Sequence, residues 1–175
     1  MSDILFKKED FVFSYRVAGV CIQEGKVLLQ KPNNDTAYAF PGGHVALGET
    51  HEQTLIREFR EELSADIQVG NLMWVGELFF PWGDKPCHQI CLYYEVALTD
   101  DHTPRCGSFM GMEQISERRF EMEFYWIPYA KLSEIEVYPV KTAELLLRTG
   151  VQHFIHREND EVQEEIIMSK EEPHG

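Results

Sequence analysis

Apolar positions fall in short runs separated by turn formers, the pattern of a strand-rich chain. Phe11 to Gln23 is rich in aromatic and β-branched residues, and after a Glu24-Gly25 turn signal the apolar run resumes from Val27 to Gln30, so two strands are predicted. Lys31 to Thr36 gathers Pro32, Asn33, Asn34 and Asp35 and reads as a loop, followed by a short strand at Tyr38-Ala39-Phe40 and a loop at Pro41-Gly42-Gly43. Ile67 to Phe80 and Cys87 to Leu98 are strand-like, parted by Pro81-Trp82-Gly83-Asp84; in the second, Ile90, Leu92, Tyr94, Val96 and Leu98 share one face. Asp100 to Met112, with Pro104, Gly107 and Gly111, is expected to be a mobile loop. Glu121 to Ile127 is a further strand ended by Pro128, and Lys141 to Arg148 a helix stopped at Gly150.

One segment has a helical period instead. Thr50 with Gln53 three residues later has the form of a capping box, and Leu55, Phe59 and Leu63 recur at i, i+4 and i+8, which predicts a helix from about residue 50 to 63. On that helix Glu58, Glu61 and Glu62 emerge on neighbouring positions of one surface. Crowded carboxylates repel by a few tenths of a kcal/mol per pair unless a cation sits among them, roughly the i,i+4 like-charge penalty. Hard oxygen donors suit Mg²⁺ or Mn²⁺. Glu58 and Glu62 lie beside the apolar stripe, on the rim of the core, where a cleft can form. Arg57, four residues before Glu61, can pair with it, and the backbone at Gly42-Gly43 can approach a ligand closely because two residues lack Cβ. The competing interpretation is a solvated acidic face.

Composition narrows the setting. With 175 residues and 43% hydrophobic content, the chain fits one domain over 1–157. From Glu158 to Gly175 seven acids face one base, so 158–175 is expected to be an acidic, solvated or frayed tail. A net charge of −14 gives no footprint for nucleic acid, and a phosphate-bearing substrate would need a cation to screen it. No apolar stretch approaches the roughly 18 residues of a membrane span. The N-terminus shows no secretory pattern, and Cys21, Cys87, Cys91 and Cys106 form no CxxC pair, so reduced thiols in a cytoplasmic protein are expected.

Spacing decides against the solvated acidic face. Gly43, Glu49, Arg57, Glu58, Glu61 and Glu62 fit G-x5-E-x7-R-E-U-x-E-E with Phe59 as the bulky U, six identities that composition alone yields with a probability on the order of one in ten thousand. This is the Nudix box, and from roughly Tyr15 to Leu132 the chain resembles the Nudix hydrolase superfamily. The resemblance implies an α/β fold, an α/β/α sandwich around a mixed sheet, and Mg²⁺-dependent hydrolysis of a nucleoside diphosphate linked to another moiety. It implies Glu58 and Glu62 as principal metal ligands, Glu61 as a third and the Gly42 carbonyl as a backbone ligand, with Arg57 and Glu49 orienting the set. A further glutamate from a later strand often serves as base or ligand; Glu123 and Glu121 are the candidates, against exposed strand-edge charges. The box normally ends x-G-U, whereas this chain has Leu63-Ser64-Ala65, a substitution at a left-handed position expected to cost about 1 kcal/mol.

The partner expected is a small nucleotide-type molecule, with no nucleic acid or membrane, and the family leaves room for a homodimer. Pro81 lies 16 residues beyond Ala65, where some members that hydrolyse ADP-ribose carry a proline, although the residues around it do not otherwise resemble that group. Phe79, Phe80 and Trp82 are candidates to stack on a base or to pack internally. Arg16 and Lys31 are candidates for phosphate or plain surface charges, and His88 and His44 for the site or for packing. A catalytically inactive nucleotide-sensing module is the alternative to an enzyme.

Overall fold

The computed structural model describes residues 2–32, 36–115, 118–158 and 162–167. Five strands precede the helix: β1 (Leu5–Lys7), β2 (Val12–Gln23), β3 (Lys26–Pro32), β4 (Tyr38–Ala39) and β5 (Gly42–His44). Helix α1 (His51–Leu63) leads into β6 (Ile67–Trp82), β7 (Lys85–Leu98), β8 (Ser108–Ile115) and β9 (Arg118–Pro128). A 3₁₀ turn (Tyr129–Glu134), β10 (Val137–Tyr138), α2 (Thr142–Leu145), β11 (Gln152–Glu158) and β12 (Val162–Ile167) complete the order. The strands run β10-β4-β3-β2-β7-β6-β11-β12, with β1 and β5 on β2 and the β8–β9 pair joined through β9 to β3. Pairs β2–β7, β6–β11 and β4–β10 are parallel and the others antiparallel, so the sheet is mixed.

Both faces of this sheet are covered, because β2 and β7 carry apolar side chains on both. On one face α1 buries Leu55 and Phe59 fully, with Leu63, against Val17, Leu28, Val96, Phe124 and Trp126. Leu92, Tyr94 and Leu98 pack on the same cluster, as the alternation of β7 predicts. Burial of a side chain such as Phe59 contributes about 1.5–3 kcal/mol. On the other face Leu132 of the 3₁₀ turn and Leu145 of α2 meet Ala18, Leu29, Trp74, Tyr93 and Phe154. The architecture is the expected α/β/α sandwich.

Helix α1 starts as its sequence dictates. Thr50 accepts from the Gln53 N–H at 3.2 Å, and the Gln53 side chain accepts from the Thr50 N–H at 2.9 Å, closing both arms of the capping box. It ends at Ser64, which adopts φ 54° and ψ 28°, the left-handed conformation the departure from the box foretold. The Ser64 carbonyl accepts from His102 Nε2 at 2.7 Å.

Elsewhere local signals misled. The segment expected as a mobile loop is only partly irregular: β8 begins at Ser108 and pairs with β9 from Ser108↔Tyr125 onward. Residues 100–107 are themselves stitched down, since the side chain of Asp100 accepts from the backbone N–H groups of Asp66, His102 and Thr103, and Trp126 Nε1 donates to the Pro104 carbonyl. The predicted helix from Lys141 to Arg148 shrinks to Thr142–Leu145, because Leu147 and Arg148 donate to Glu144 and Leu145, a tight three-residue spacing that ends the helix. Within the acidic tail, Val162–Ile167 forms β12 on β11 rather than fraying, while 168–175 lie outside the described residues. Among the described residues no helix is long and apolar enough to cross a membrane.

Candidate active site

The capping box starts α1, and with Leu55 and Phe59 buried in the core Arg57 and Glu58 meet β5, while Glu61 is exposed and Glu62 lies under β8. Arg57 is the hub. Its Nε and Nη2 donate to the two oxygens of Glu49 at 2.9 and 3.0 Å, a bidentate fork, and its Nη1 donates to Glu58 Oε1 at 2.6 Å. The contact with Glu61, foreseen from the helical spacing, is the longer one at 3.3 Å, and the Glu61 side chain is 53% exposed. Nη2 also donates to the His44 carbonyl at 3.2 Å, tying the helix to β5. Thr54 Oγ1 donates to Glu49 Oε2 at 2.9 Å. Glu49 is held below the usual carboxylate range chiefly by its hydrogen bonds with Arg57, and Arg57 is pushed up by the same contact.

Glu58 is different. Its burial pushes the carboxyl up, with Arg57 and Arg16 opposing that shift in part. It lies directly against the backbone of β5: a Cβ at Gly43 would stand 2.2 Å from Glu58 Oε1 and 2.5 Å from Oε2. Here the glycine pair has a concrete use, a cradle that a side chain would fill. Next to it, the Gly42 carbonyl accepts from Arg16 Nη2 at 2.9 Å. Glu62 is 4% exposed, and β8 closes over it, since a Cβ at Gly111 would stand 2.2 Å from the Glu62 carbonyl oxygen. Oxygen donors in a backbone cradle match the chemistry of a hard divalent cation. As placed, among the described residues, no three carboxylate, imidazole or thiol groups converge tightly enough to hold an ion; Arg57 occupies one oxygen of Glu58 and Arg16 the Gly42 carbonyl.

Glu123 does not join this set. Tyr125 and Ser108 hydroxyls donate to it and Lys31 lies near, which together hold its carboxyl low; Glu121 is exposed on β9. The Lys31 ammonium sits over the rings of Tyr38 and Tyr125, at 5.2 and 5.8 Å from their centroids.

Beside the carboxylates, a cleft of about 440 Å³ opens on the sheet face that α1 does not cover. Arg16 joins the two, lining the cleft while bound to the Gly42 carbonyl. Phe80 and Trp82 line it too, with Tyr38 and Tyr138, whereas Phe79 points to the other face and stacks on His88 at 4.4 Å. A larger, more open depression of about 1080 Å³ surrounds the β6–β7 turn, and none of the α1 carboxylates lines it. Three polar residues on the cleft side carried no motif: Ser14, Gln30 and Gln89. Each is a buried polar position within an apolar run, a signal that points to no chemistry until the sheet is assembled.

Comparison with known proteins bears on the family and the fold. The NUDIX domain family model matches residues 14–148. A protein of Methanocaldococcus jannaschii named ADP-ribose pyrophosphatase is 37% identical over 62 residues, which cover 34% of this chain and only 37% of that relative. Among solved structures, the MutT protein from Bacillus halodurans superposes with a TM-score of 0.59 at 15% identity, covering 87% of this chain and 97% of that one. The MutT Nudix hydrolase from Burkholderia pseudomallei gives 0.56 at 20% identity, covering 78% and 98%. At these identities the structures establish the fold. With its box spacing intact from Gly43 to Glu62 and the family model matched along most of its length, this chain belongs to the Nudix family.

Proposed function

We propose that the chain is a cytoplasmic Mg²⁺-dependent pyrophosphohydrolase that cleaves a diphosphate linkage in a nucleoside diphosphate joined to another moiety: a nucleoside triphosphate, an ADP-ribose-like compound or a nucleotide sugar. The observation that carries this reading is the Glu58 carboxylate lodged against Gly43, beside the Gly42 carbonyl and fastened by Arg57. Glu58, Glu61, Glu62 and the Gly42 carbonyl would hold Mg²⁺, with Mn²⁺ as a substitute. When bound, the ion offsets diphosphate charge and acidifies water.

The protein's own groups do the remaining work. Arg57 and Glu49 fix the helix carboxylates relative to β5, so that little reorganisation is needed when the substrate arrives. Arg16, already between the Gly42 carbonyl and the cleft, is positioned to turn from that carbonyl to a phosphate oxygen. Water needs a proton acceptor within hydrogen-bond reach; Glu58, Glu61 and Glu123 are the candidates, and of these Glu123 is already engaged by the Tyr125 and Ser108 hydroxyls. The aromatic cleft beyond Arg16 takes the nucleoside.

A panel of nucleoside triphosphates, ADP-ribose, dinucleoside polyphosphates and nucleotide sugars with Mg²⁺ tests the proposal, with ADP-ribose first because the M. jannaschii relative bears that name. Turnover of at least one is expected, falling by about 100-fold or more in Glu62→Gln. No turnover of any of them overturns it in favour of a nucleotide-sensing module.

A further inference from the structure

The cleft beside Arg16 holds two glutamines whose amides are in different situations. Gln89 is buried, and its Oε1 accepts from the Ser14 hydroxyl at 3.0 Å. Because that hydroxyl has given its hydrogen to Gln89, it accepts from the ring of His44, whose Nε2 stands 3.1 Å away. The chain His44, Ser14, Gln89 thus engages the Gln89 carbonyl oxygen and leaves the amino group as the donor end of this cleft-lining residue. Gln30 has no such fastening. It is 7% exposed, lines the same cleft, and its Oε1 is buried without a hydrogen-bond partner among the described residues. A buried amide oxygen left in this state disfavours the empty protein, and a turn of the Gln30 side chain that brings it to a ligand N–H in the cleft recovers what is lost.

Around these amides the walls are aromatic, with Tyr38, Phe40, Phe80 and Trp82 lining the cleft. Flat apolar walls with one fixed donor and one unsatisfied acceptor suit a planar heteroaromatic ring that carries an N–H and a lone-pair acceptor on its edge. We propose that Gln30 and Gln89 set the base preference of this protein: Gln30 accepts an N–H of a nucleobase, Gln89 donates to an acceptor on the same ring, and Ser14 is the positioning residue that holds Gln89 in its donor orientation. The proposal rests on the nucleotide-hydrolase reading for the class of ligand but not on turnover. It also gives His44 a role distinct from its carbonyl contact with Arg57: through Ser14 it links β5, at the carboxylate cradle, to the residue that reads the base.

The test is calorimetric binding to the full chain with Mg²⁺ present, with AMP, GMP, CMP, UMP and ribose 5-phosphate as probes, none of which has a diphosphate linkage to cleave. At least one nucleotide is expected to bind roughly tenfold or more tightly than ribose 5-phosphate, since a paired buried polar group is worth about that factor. Gln30→Met, nearly isosteric, is expected to erase most of that advantage, leave ribose 5-phosphate binding unchanged, and keep or raise the melting temperature, because it removes an unsatisfied buried amide. A merely structural glutamine would not combine lost base preference with undiminished stability. Ser14→Ala is expected to narrow the spread among the four nucleotides about threefold or more by freeing the Gln89 amide. Nucleotides that bind no better than ribose 5-phosphate, or a base preference that survives both substitutions, overturn the proposal. Binding is read without catalysis, so a chain that hydrolyses nothing can still show the preference. Conversely, an active hydrolase whose preference survives both variants retains the activity and loses this assignment.

Discussion

Gly43 is the position where one atom decides most. The Cβ of an alanine would enter the space of the Glu58 carboxylate, at 2.2 Å from its Oε1, yet the obstacle is the far end of a flexible side chain and can swing away. Gly43→Ala should therefore cost less than about 1 kcal/mol of stability while lowering kcat by about 100-fold, because a displacement near 1 Å of a positioned group has that effect. Thermal melts and steady-state kinetics on the same preparation check both halves. Asp100 supplies a pH effect. Burial alone would raise its carboxyl, but hydrogen bonds from the Thr103 N–H and Oγ1 and the Asp66 N–H outweigh that and hold it at about 2, below its ordinary 3.8. The folded value lies below the unfolded one, so the contribution is complete above about pH 4 to 5 and is lost as pH falls toward 2. Asp100→Asn should be less stable than the parent by about 1–3 kcal/mol at pH 7, and urea midpoints should show the gap closing between pH 4 and about 2.

At the scale of elements, α1 follows from its own residues. Its start, apolar stripe and carboxylate face were legible because period, cap and charge spacing are local properties, and the left-handed residue at its end was legible as a missing glycine. Ser64 occupies that conformation at φ 54°, and its role toward His102 uses only the backbone carbonyl. Ser64→Gly is accordingly expected to stabilise the protein by about 1 kcal/mol, a rise of about 2–4 °C in Tm, measurable by calorimetry. Strand β8 was not legible. Gly107 and Gly111 read as loop, yet Gly111 lies in a strand because β8 must approach the Glu62 carbonyl more closely than any side chain allows. β11 was missed for a related reason: Gln152 and His156 are polar yet buried, so its inward face does not read as apolar.

For the whole molecule, a net charge of −14 surrounds the site proposed for a diphosphate substrate. Long-range repulsion slows encounter, and salt screens it over about 10 Å at 0.1 M. With Mg²⁺ saturating, kcat/KM is expected to rise modestly as NaCl increases from about 0.02 to 0.15 M, the reverse of an enzyme with a basic entrance. A steep fall would show that Arg16 and Lys7, both near His44, dominate the approach instead.

The family, the fold class and the helix carboxylates were determined by the sequence itself, because they rest on spacings within about twenty residues of one chain segment, where helix geometry converts position into direction. Tertiary structure alone decided what those carboxylates touch. That Arg57 prefers Glu49 and Glu58 to Glu61 depends on how β5 lies against α1, and that Glu123 turns to Tyr125, Ser108 and Lys31 depends on the β3–β9 and β8–β9 registers. The cleft is more remote still: Ser14 and Gln89 meet because β2 and β7 run parallel in register, 75 residues apart in sequence. Alternation along a strand says which face a residue occupies, never which strand lies beside it, and the aromatic cleft of this protein is built from neighbours of that kind.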